Sequence, residues 1–366
     1  MAAFLFGSEI YRGSTYGPKH PLAIQRVPAT LDLIEALGWF DAARYQTCGP
    51  AAPAALTRFH TPEYVAALQL AEAEQRVSPE VRARHHLGAH GNAIYPAMYC
   101  RPATSVALTL AACRAVLGGG VAYNPGGGTH HGQADRASGF CFVNDPVLGM
   151  LAWLDAGLSR VLYVDIDAHH GDGVEAAFAH DPRVLTISVH EAGRWPHTGL
   201  AHDRAGGSAR NFPVPEGFND SEMEALLHRA IVPLAEKFRP EAIMLQCGAD
   251  ALEEDPLARL ALSNNALWRV VAALVPMAPR CVVLGGGGYN PFTVARAWAG
   301  VWATLNGLPI PASLPPQARA VLRRQTYSRA AGREPPEHWF TTLTDAPREG
   351  PVRPEILALA QAALAD

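Results

Sequence analysis

Residues 161–173 read VLYVDIDAHHGDG, and this stretch decides the fold. Its first half, Val161–Val164, is an unbroken apolar run, which marks a parallel strand buried on both faces rather than a half-exposed one. Its second half turns abruptly polar, with Asp165, Asp167, His169, His170 and Asp172 in close succession. In open α/β sheets, ligands sit beyond the carboxyl ends of the strands. The same junction therefore marks both a core element and a candidate site.

Working outward, similar apolar runs recur at Gly120–Asn124, Val184–His190, Ala242–Cys247 and Cys281–Leu284. Between them, helical patterns are predicted at Ala103–Leu117, Pro146–Ala156, Ser221–Phe238, Ser263–Leu274 and Phe292–Leu305. Strand, helix, strand at this spacing implies an α/β sheet with right-handed crossovers. Asp220 suits a helix start, with Glu222 and Glu224 in the first turn. The first hundred residues read as mainly helical, best at Leu22–Leu37 and Glu63–Glu74. A Pro-dense tail begins at Pro309, keeps Trp339 and Phe340, and ends in a helical pattern at Glu355–Leu364. It is expected to pack back on the body, giving one domain over 1–366 with a core at about 16–308 and an extension at 309–366.

Composition narrows the function class. Of 366 residues, 49% are hydrophobic and only 17% charged, below the roughly 25% of ordinary globular chains. So large a core needs no disulfide or metal merely to fold. A net charge of −4 and a pI near 6.4 exclude a general phosphate-backbone binder, so no nucleic-acid partner is expected. No run approaches the roughly 20 apolar residues of a membrane helix, and MAAFLFGSEIYRG lacks the features of a signal peptide. The six cysteines show no CxxC spacing, which fits a reduced, cytoplasmic protein with no membrane partner. Of 30 Lys and Arg, only Lys19 and Lys237 are lysines, a bias that points to a bacterial genome. It does not account for 15 histidines, several of them paired.

Four apolar runs end in polar groups. Gly120–Asn124 is followed by PGGGTHHG, with His130 and His131; Val161–Val164 by DIDAHHGDG; Ala242–Gln246 by CGAD, with Asp250; Cys281–Leu284 by GGGGYN, with Tyr289. In an extended segment Asp165, Asp167 and His169 share a face. Carboxylates crowded with an imidazole repel or stay protonated unless a cation joins them. The bland reading of such a group, a helix cap by Asp172 plus a His paired with a carboxylate, fits an isolated Asp–His pair better than this density. Two Asp and one His leave open positions, as catalytic zinc sites do. GGGG at Gly285–Gly288 lacks the Lys and Ser/Thr of a phosphate loop and the dinucleotide spacing.

The set GGGTHHG, SGFCFVND, YVDIDAHHGDGV, QCGAD with DP, and LGGGGYN resembles the zinc-dependent histone deacetylase family, and within it the bacterial acetoin-utilisation branch. The match runs from about Tyr16 to Leu308. The resemblance implies the arginase–deacetylase fold, a central parallel sheet of eight strands sandwiched by helices. It implies Asp167, His169 and Asp250 as zinc ligands, and His131 as general base oriented by Asp172. His130, paired with Asp165, would steer protons, and Tyr289 would donate to the carbonyl oxygen. Gly139, Phe140, Trp195, Leu257 and Gly287 would line the acyl-lysine channel. Asp165, Asp167, His169 and Val189 carbonyls, with Ser188, resemble a structural potassium site. The order of proton transfer between His130 and His131 stays open at this point.

The implied activity is hydrolysis of the amide of N-acetyl or N-acyl lysine in proteins. Two alternatives stand beside it: a deacetylase of small acylated amines such as acetylpolyamines, and a catalytically silent acyl-lysine binder. The silent binder should lack the Tyr or the base, and both are present. Leu257 occupies a gatekeeper position where a Glu would mark polyamine-selective relatives, because a dication wants an acidic group. Leu87–Ala93 carries no Asp where many family members grip the substrate backbone, which leaves room for small substrates. By the same resemblance an acetylated metabolic enzyme such as an acyl-CoA synthetase is a plausible target. The arginase branch of the fold uses two metals, but its further ligands fall here at Gly171 and Gly248. His20, His90, His190 and His197 are expected near the rim and His170 behind the metal. His60, His85, His86, His180, His202, His228 and His338 read as solvated or locally satisfied.

Overall fold

In the computed structural model, which describes residues 2–14, 16–328, 332 and 334–365, eight strands form one sheet among the described residues. They are β1 (Phe4–Phe6), β2 (Tyr45–Gln46), β3 (Gly120–Asn124), β4 (Val161–Asp165), β5 (Val184–Glu191), β6 (Ala209–Val214), β7 (Ala242–Gln246) and β8 (Arg280–Leu284). Every pairing is parallel, and the order is β2-β1-β3-β8-β7-β4-β5-β6. The five runs read from the sequence are the five strands at the middle of this order. β4 and β7 are buried at every position, as continuous apolar runs require.

Three strands were not legible as such. β1 and β2 have three and two residues, too short for any periodicity. β6, ARNFPV, mixes Arg210, Asn211 and Pro213 into its run. It lies at the sheet edge, where a proline's missing N–H costs no ladder bond.

Helices flank the sheet: α1 (Arg26–Ala36), α2 (Pro62–Glu74), α3 (Cys100–Ala115), α4 (Asp145–Asp155), α5 (Asp172–Ala177), α6 (Asp220–Leu226), α7 (Asn264–Leu274), α8 (Pro291–Asn306), α9 (Pro316–Arg323) and α10 (Pro354–Leu364). Proline opens several of them, including α2, α8, α9 and α10. Its fixed φ suits the first turn and its missing N–H is one of the groups left unpaired there. α6 is capped by Asn219, not Asp220. The Asn219 side chain accepts from Glu222 N–H and the Glu222 carboxylate accepts from Asn219 N–H, a reciprocal cap. Asp220 is instead buried, its carboxylate accepting from Ser263. The expected helix Ser221–Phe238 is interrupted by a π turn at Leu227–Ile231 before continuing as Val232–Phe238. Pro233 lies just beyond that turn, and a proline cannot donate to the helical ladder.

The C-terminal extension meets the body. Trp339 and Phe340 are buried, and Trp339 stacks on Phe292 of α8 at 5.4 Å between ring centroids. Arg353, at the start of α10, makes a two-pronged pair with Glu222. Positions 329–331, 333 and 366 of that extension lie outside the described residues.

Candidate active site

The four strands whose ends carry the polar motifs are neighbours: β3, β8, β7 and β4 stand side by side. Because they are parallel, their carboxyl ends open on one rim. GGGTHHG, GGGGYN, CGAD and DIDAHHGDG, far apart in sequence, are thereby brought together.

Asp167, His169 and Asp250 place one ligand atom each within 4.8 Å of one another. The alternation expected of an extended segment does not carry this arrangement. β4 stops at Asp165 and the chain bends through Asp167–His169. Asp165 is turned to a different partner, while His169 Nδ1 faces Asp250 Oδ2 at 2.9 Å and Asp167 Oδ1 at 3.3 Å. The carboxylates are held by backbone donors. Asp167 Oδ2 accepts from Gly287 N–H at 2.6 Å, and Asp250 Oδ1 accepts from Ala168 N–H at 3.0 Å. Burial opposes a charge on His169, yet its bonds to Asp167 and Asp250 outweigh that and lift its pKa to about 10. Two buried carboxylates and an imidazole Nδ1 aimed at one point form a donor set that calls for a cation.

Beside this cluster lie two adjacent imidazoles with ring centroids 3.8 Å apart. His130 Nδ1 donates to Asp165 Oδ2 at 2.7 Å, and His131 Nδ1 donates to Asp172 Oδ1 at 2.7 Å. Asp172 opens α5 but makes no cap bond there; its second oxygen accepts from Gln133 Nε2 at 3.0 Å. Burial works against a charge on His130, but Asp165 and Asp167 overcome it and raise its pKa to about 9. Burial and the charge of His130 hold His131 down to about 4, against the pull of Asp172.

Above the cluster opens a cavity of about 500 Å³ lined by His90, His131, Gly139, Phe140, His169, Glu191–Trp195, His197, Leu257 and Tyr289. The Tyr289 hydroxyl holds its proton strongly, its pKa raised by burial and by Asp250 and Asp167. Trp195 sits with its ring 4.7 Å from that of His131 and 6.4 Å from that of His169. Gly139 has φ +52, and a Cβ there would lie 2.6 Å from His131 Cδ2 and 2.7 Å from the Trp195 ring. Only glycine leaves the channel open at that point. Phe140 follows with φ +67, held by Asn92 Oδ1 on its N–H at 3.0 Å. Gly287 does not stand among the lining residues; it lies below them, against the Asp167 carboxylate.

Asp165 and Ser188 are in-register neighbours on β4 and β5, which brings together the segments expected around potassium; the Ser188 hydroxyl bonds His190 at 2.9 Å. His190 is buried against Gly199, not at the rim, because β5 extends through Glu191. His90 and His197 do border the cavity, and His20 donates to Gly91 O nearby. His170 is buried and bonded to Thr198 and Glu175. Among the described residues no second group of three His, Cys, Asp or Glu brings its ligand atoms together. Nor is there room for one, since a Cβ at Gly171 would lie 2.6 Å from Asp165 Oδ2 and one at Gly248 would lie 2.6 Å from Asp167 Cγ.

Several supporting residues had no role assigned from sequence. Asp145 accepts from Gly128 N–H, Thr129 N–H and the Thr129 hydroxyl, and Asn144 donates to His130 O and Gly132 O. Together they clamp the loop that carries both imidazoles. Their signal was the ND that closes SGFCFVND. Asp255 accepts from Tyr289 N–H at 2.6 Å and Leu257 N–H at 2.9 Å, and so positions two channel residues at once.

Known proteins resemble the chain over most of its length. Residues 20–305 match the histone deacetylase domain. The chain is 33% identical over 324 residues to the acetoin utilization protein AcuC of Bacillus subtilis, covering 85% of this chain and 84% of that one. It is 36% identical over 313 residues to histone deacetylase 9 of Arabidopsis thaliana, covering 83% and 73%. A crystal structure of an HDAC homolog from Aquifex aeolicus superposes with a TM-score of 0.95 at 33% identity, covering all of both chains. A structure of an HDAC homolog complexed with SAHA gives the same values.

Proposed function

The chain belongs to the histone deacetylase family and is a deacetylase-type hydrolase, and from that premise we propose that it removes acyl groups from the side-chain nitrogen of acyl-lysine with the help of one zinc ion. One observation carries the reading: His131, Tyr289 and His169 face a single apolar-walled cavity, and His169 is one of three buried residues whose ligand atoms converge.

Asp167, His169 and Asp250 would hold the ion, which when bound supplies a Lewis acid to the carbonyl and acidifies water. The protein's own residues do the rest. His131 is the imidazole that reaches the cavity, and its depressed pKa keeps it neutral, so it accepts the proton of the attacking water near neutral pH. Asp172 fixes its tautomer through the Nδ1–H bond, as the carboxylate of a His–Asp pair does. The Tyr289 hydroxyl, which keeps its proton, donates to the carbonyl oxygen as negative charge develops there. His130, behind His131 and kept charged by Asp165 and Asp167, opposes a lasting proton on His131 and so favours its passage to the leaving amine. We extend the proposal to a monovalent cation bound by the carbonyls of Asp165, Asp167, His169 and Val189 with Ser188 Oγ. The in-register approach of β4 and β5 supports it.

A protein acyl-lysine side chain fits the channel better than an acetylated polyamine. Leu257, Trp195 and Phe140 present apolar walls, and the Glu191 carboxylate at the mouth is already occupied by Arg194. A dication would meet no free carboxylate among these residues. Among the described residues no helix is long and apolar enough to cross a membrane; action on proteins of the cytoplasm is part of the proposal. The test is Tyr289→Phe on an acetyl-lysine peptide: turnover should fall by roughly 10²–10³ with bound metal unchanged. Undiminished turnover would overturn the mechanism, and a preference for acetylspermidine over the peptide would overturn the substrate ranking.

A further inference from the structure

The walls of the channel come from segments distant in sequence, and one buried carboxylate joins them. Trp195 stands on the loop after β5, and Leu257 on the loop after β7. Glu191, the last residue of β5, has a side chain only 7% exposed. Its Oε1 accepts from Arg194 Nη2 at 2.6 Å and its Oε2 from Arg194 Nε at 2.5 Å. The same Oε2 accepts from the backbone N–H of Arg259 at 2.8 Å. The backbone N–H of Glu191 in turn donates to Ala168 O at 2.9 Å, between Asp167 and His169.

These bonds form a clamp. Arg194 directly precedes Trp195, and Arg259 lies two residues beyond Leu257. A two-pronged guanidinium–carboxylate pair is strict in direction as well as distance, so it sets where the Trp195 loop stands. The Arg259 bond ties the loop that carries Leu257 to the same carboxylate, and the Ala168 bond refers both to the segment between Asp167 and His169. With three N–H donors on two oxygens, the carboxylate is committed to holding the walls. We infer that Glu191 is a positioning residue that fixes the spacing between Trp195 and Leu257 and thereby limits the length of acyl chain the channel admits. The inference rests on the deacylase reading above.

Two variants separate its arms. Glu191→Gln replaces one oxygen by an amide nitrogen that only donates, so at least one of the three N–H groups meets another donor and lets go. Arg194→Ala cuts the Trp195 arm and leaves the Arg259 arm intact. The experiment compares kcat/KM of the metal-loaded full chain on one peptide carrying acetyl-, butyryl- or hexanoyl-lysine. The acetyl-to-hexanoyl ratio should fall about tenfold or more in both variants, since even one methylene in an apolar pocket is worth roughly that much. A merely structural role would lower all three substrates alike and leave the ratio unmoved. Hydrogen exchange gives a second reading without turnover: amides of residues 192–199 should exchange faster in Arg194→Ala. An unchanged ratio or unchanged exchange in an active Arg194→Ala protein overturns the clamp, and that variant decides alone if Glu191→Gln does not fold. Wild-type protein that turns over none of the acyl-lysine peptides overturns the deacylase reading, and the clamp's role with it.

Discussion

Alanine at Gly248 should separate metal binding from folding. Gly248 has φ −54 and ψ 131, a conformation open to any residue, so alanine meets no backbone penalty. By restricting the unfolded chain it would even stabilise by about 0.4–1 kcal/mol if space allowed. Space does not allow it. The new Cβ would stand 2.6 Å from Asp167 Cγ and 2.7 Å from Asp167 Cβ, where carbon atoms normally approach to about 3.5–4.0 Å. Asp167 must therefore give by about 1 Å. It is held in place by Gly287 N–H on one oxygen and His169 N–H on the other, and it is one of the three residues proposed to hold the ion. Disturbing the partners around a ligand costs 10–100-fold in metal affinity; displacing a ligand itself belongs at the upper end. We expect zinc affinity to fall about 100-fold, or about 2.7 kcal/mol. The assay is competition with a chromophoric chelator, with circular dichroism to confirm the fold. Gly49→Ala is the control, since a Cβ there meets nothing within 4 Å. A folded Gly248→Ala protein that binds zinc within threefold of wild type would refute the reasoning.

Two further outcomes are expected. Asp172→Asn should lower kcat by roughly 10²–10⁴ through loss of the His131 tautomer while leaving metal content, measured by elemental analysis, unchanged; an unaltered kcat would show that Gln133 and the loop suffice to orient the ring. Stability should fall on acidification in part through His60, whose pKa burial depresses to about 4. The fold uses the neutral ring, which donates to Gln133 O and accepts from Asn144 N–H. The unfolded chain therefore takes up the proton first. The contribution is complete above pH 6.5 and is lost between pH 6.5 and 4, reaching about 3 kcal/mol. Urea melts of His60→Gln should show a flatter acid limb, and an unchanged limb would count against the assignment.

The central strands were legible because burial on both faces leaves a one-dimensional trace: nothing but apolar residues fits Val161–Val164 or Ala242–Leu245. The edges were not, because β6 tolerates Arg210 and Pro213 where solvent and a missing neighbour relax the requirement. Site residues divide in the same way. Asp167, His169 and Asp250 stood out through an excess of polar groups immediately after apolar runs. Asp145, Asn144 and Glu191 did not, because their partners lie elsewhere in the chain. An ND before a helix reads as a cap, and a Glu at a strand end reads as surface. His60 shows the limit from the other side. The sequence allows solvated or locally satisfied, and the structure gives a buried ring holding Asn144, which in turn holds the loop of His130 and His131.

Those two imidazoles show why the chemistry belongs to the fold rather than to the motif. Locally they are equivalent: each donates Nδ1–H to an aspartate at 2.7 Å. What separates them is the next layer. Asp165 is completely buried and also accepts from the Tyr163 hydroxyl, and a second carboxylate, Asp167, lies 3.8 Å from His130 Nε2. Asp172, by contrast, is 19% exposed and shares its charge with Gln133. Rings 3.8 Å apart cannot both carry a proton cheaply, so the stronger field claims it for His130 and leaves His131 neutral. Divergent pKa values in an adjacent pair divide the work of acid and base. The division also has a direction, since it is His131 that borders the cavity. The neutral ring faces the substrate, where a proton acceptor is needed, and the cation stands behind it, where it opposes a second charge on His131 and so favours passing the proton on. A fold that exchanged the burial of Asp165 and Asp172 would keep every letter of the motif and reverse the roles.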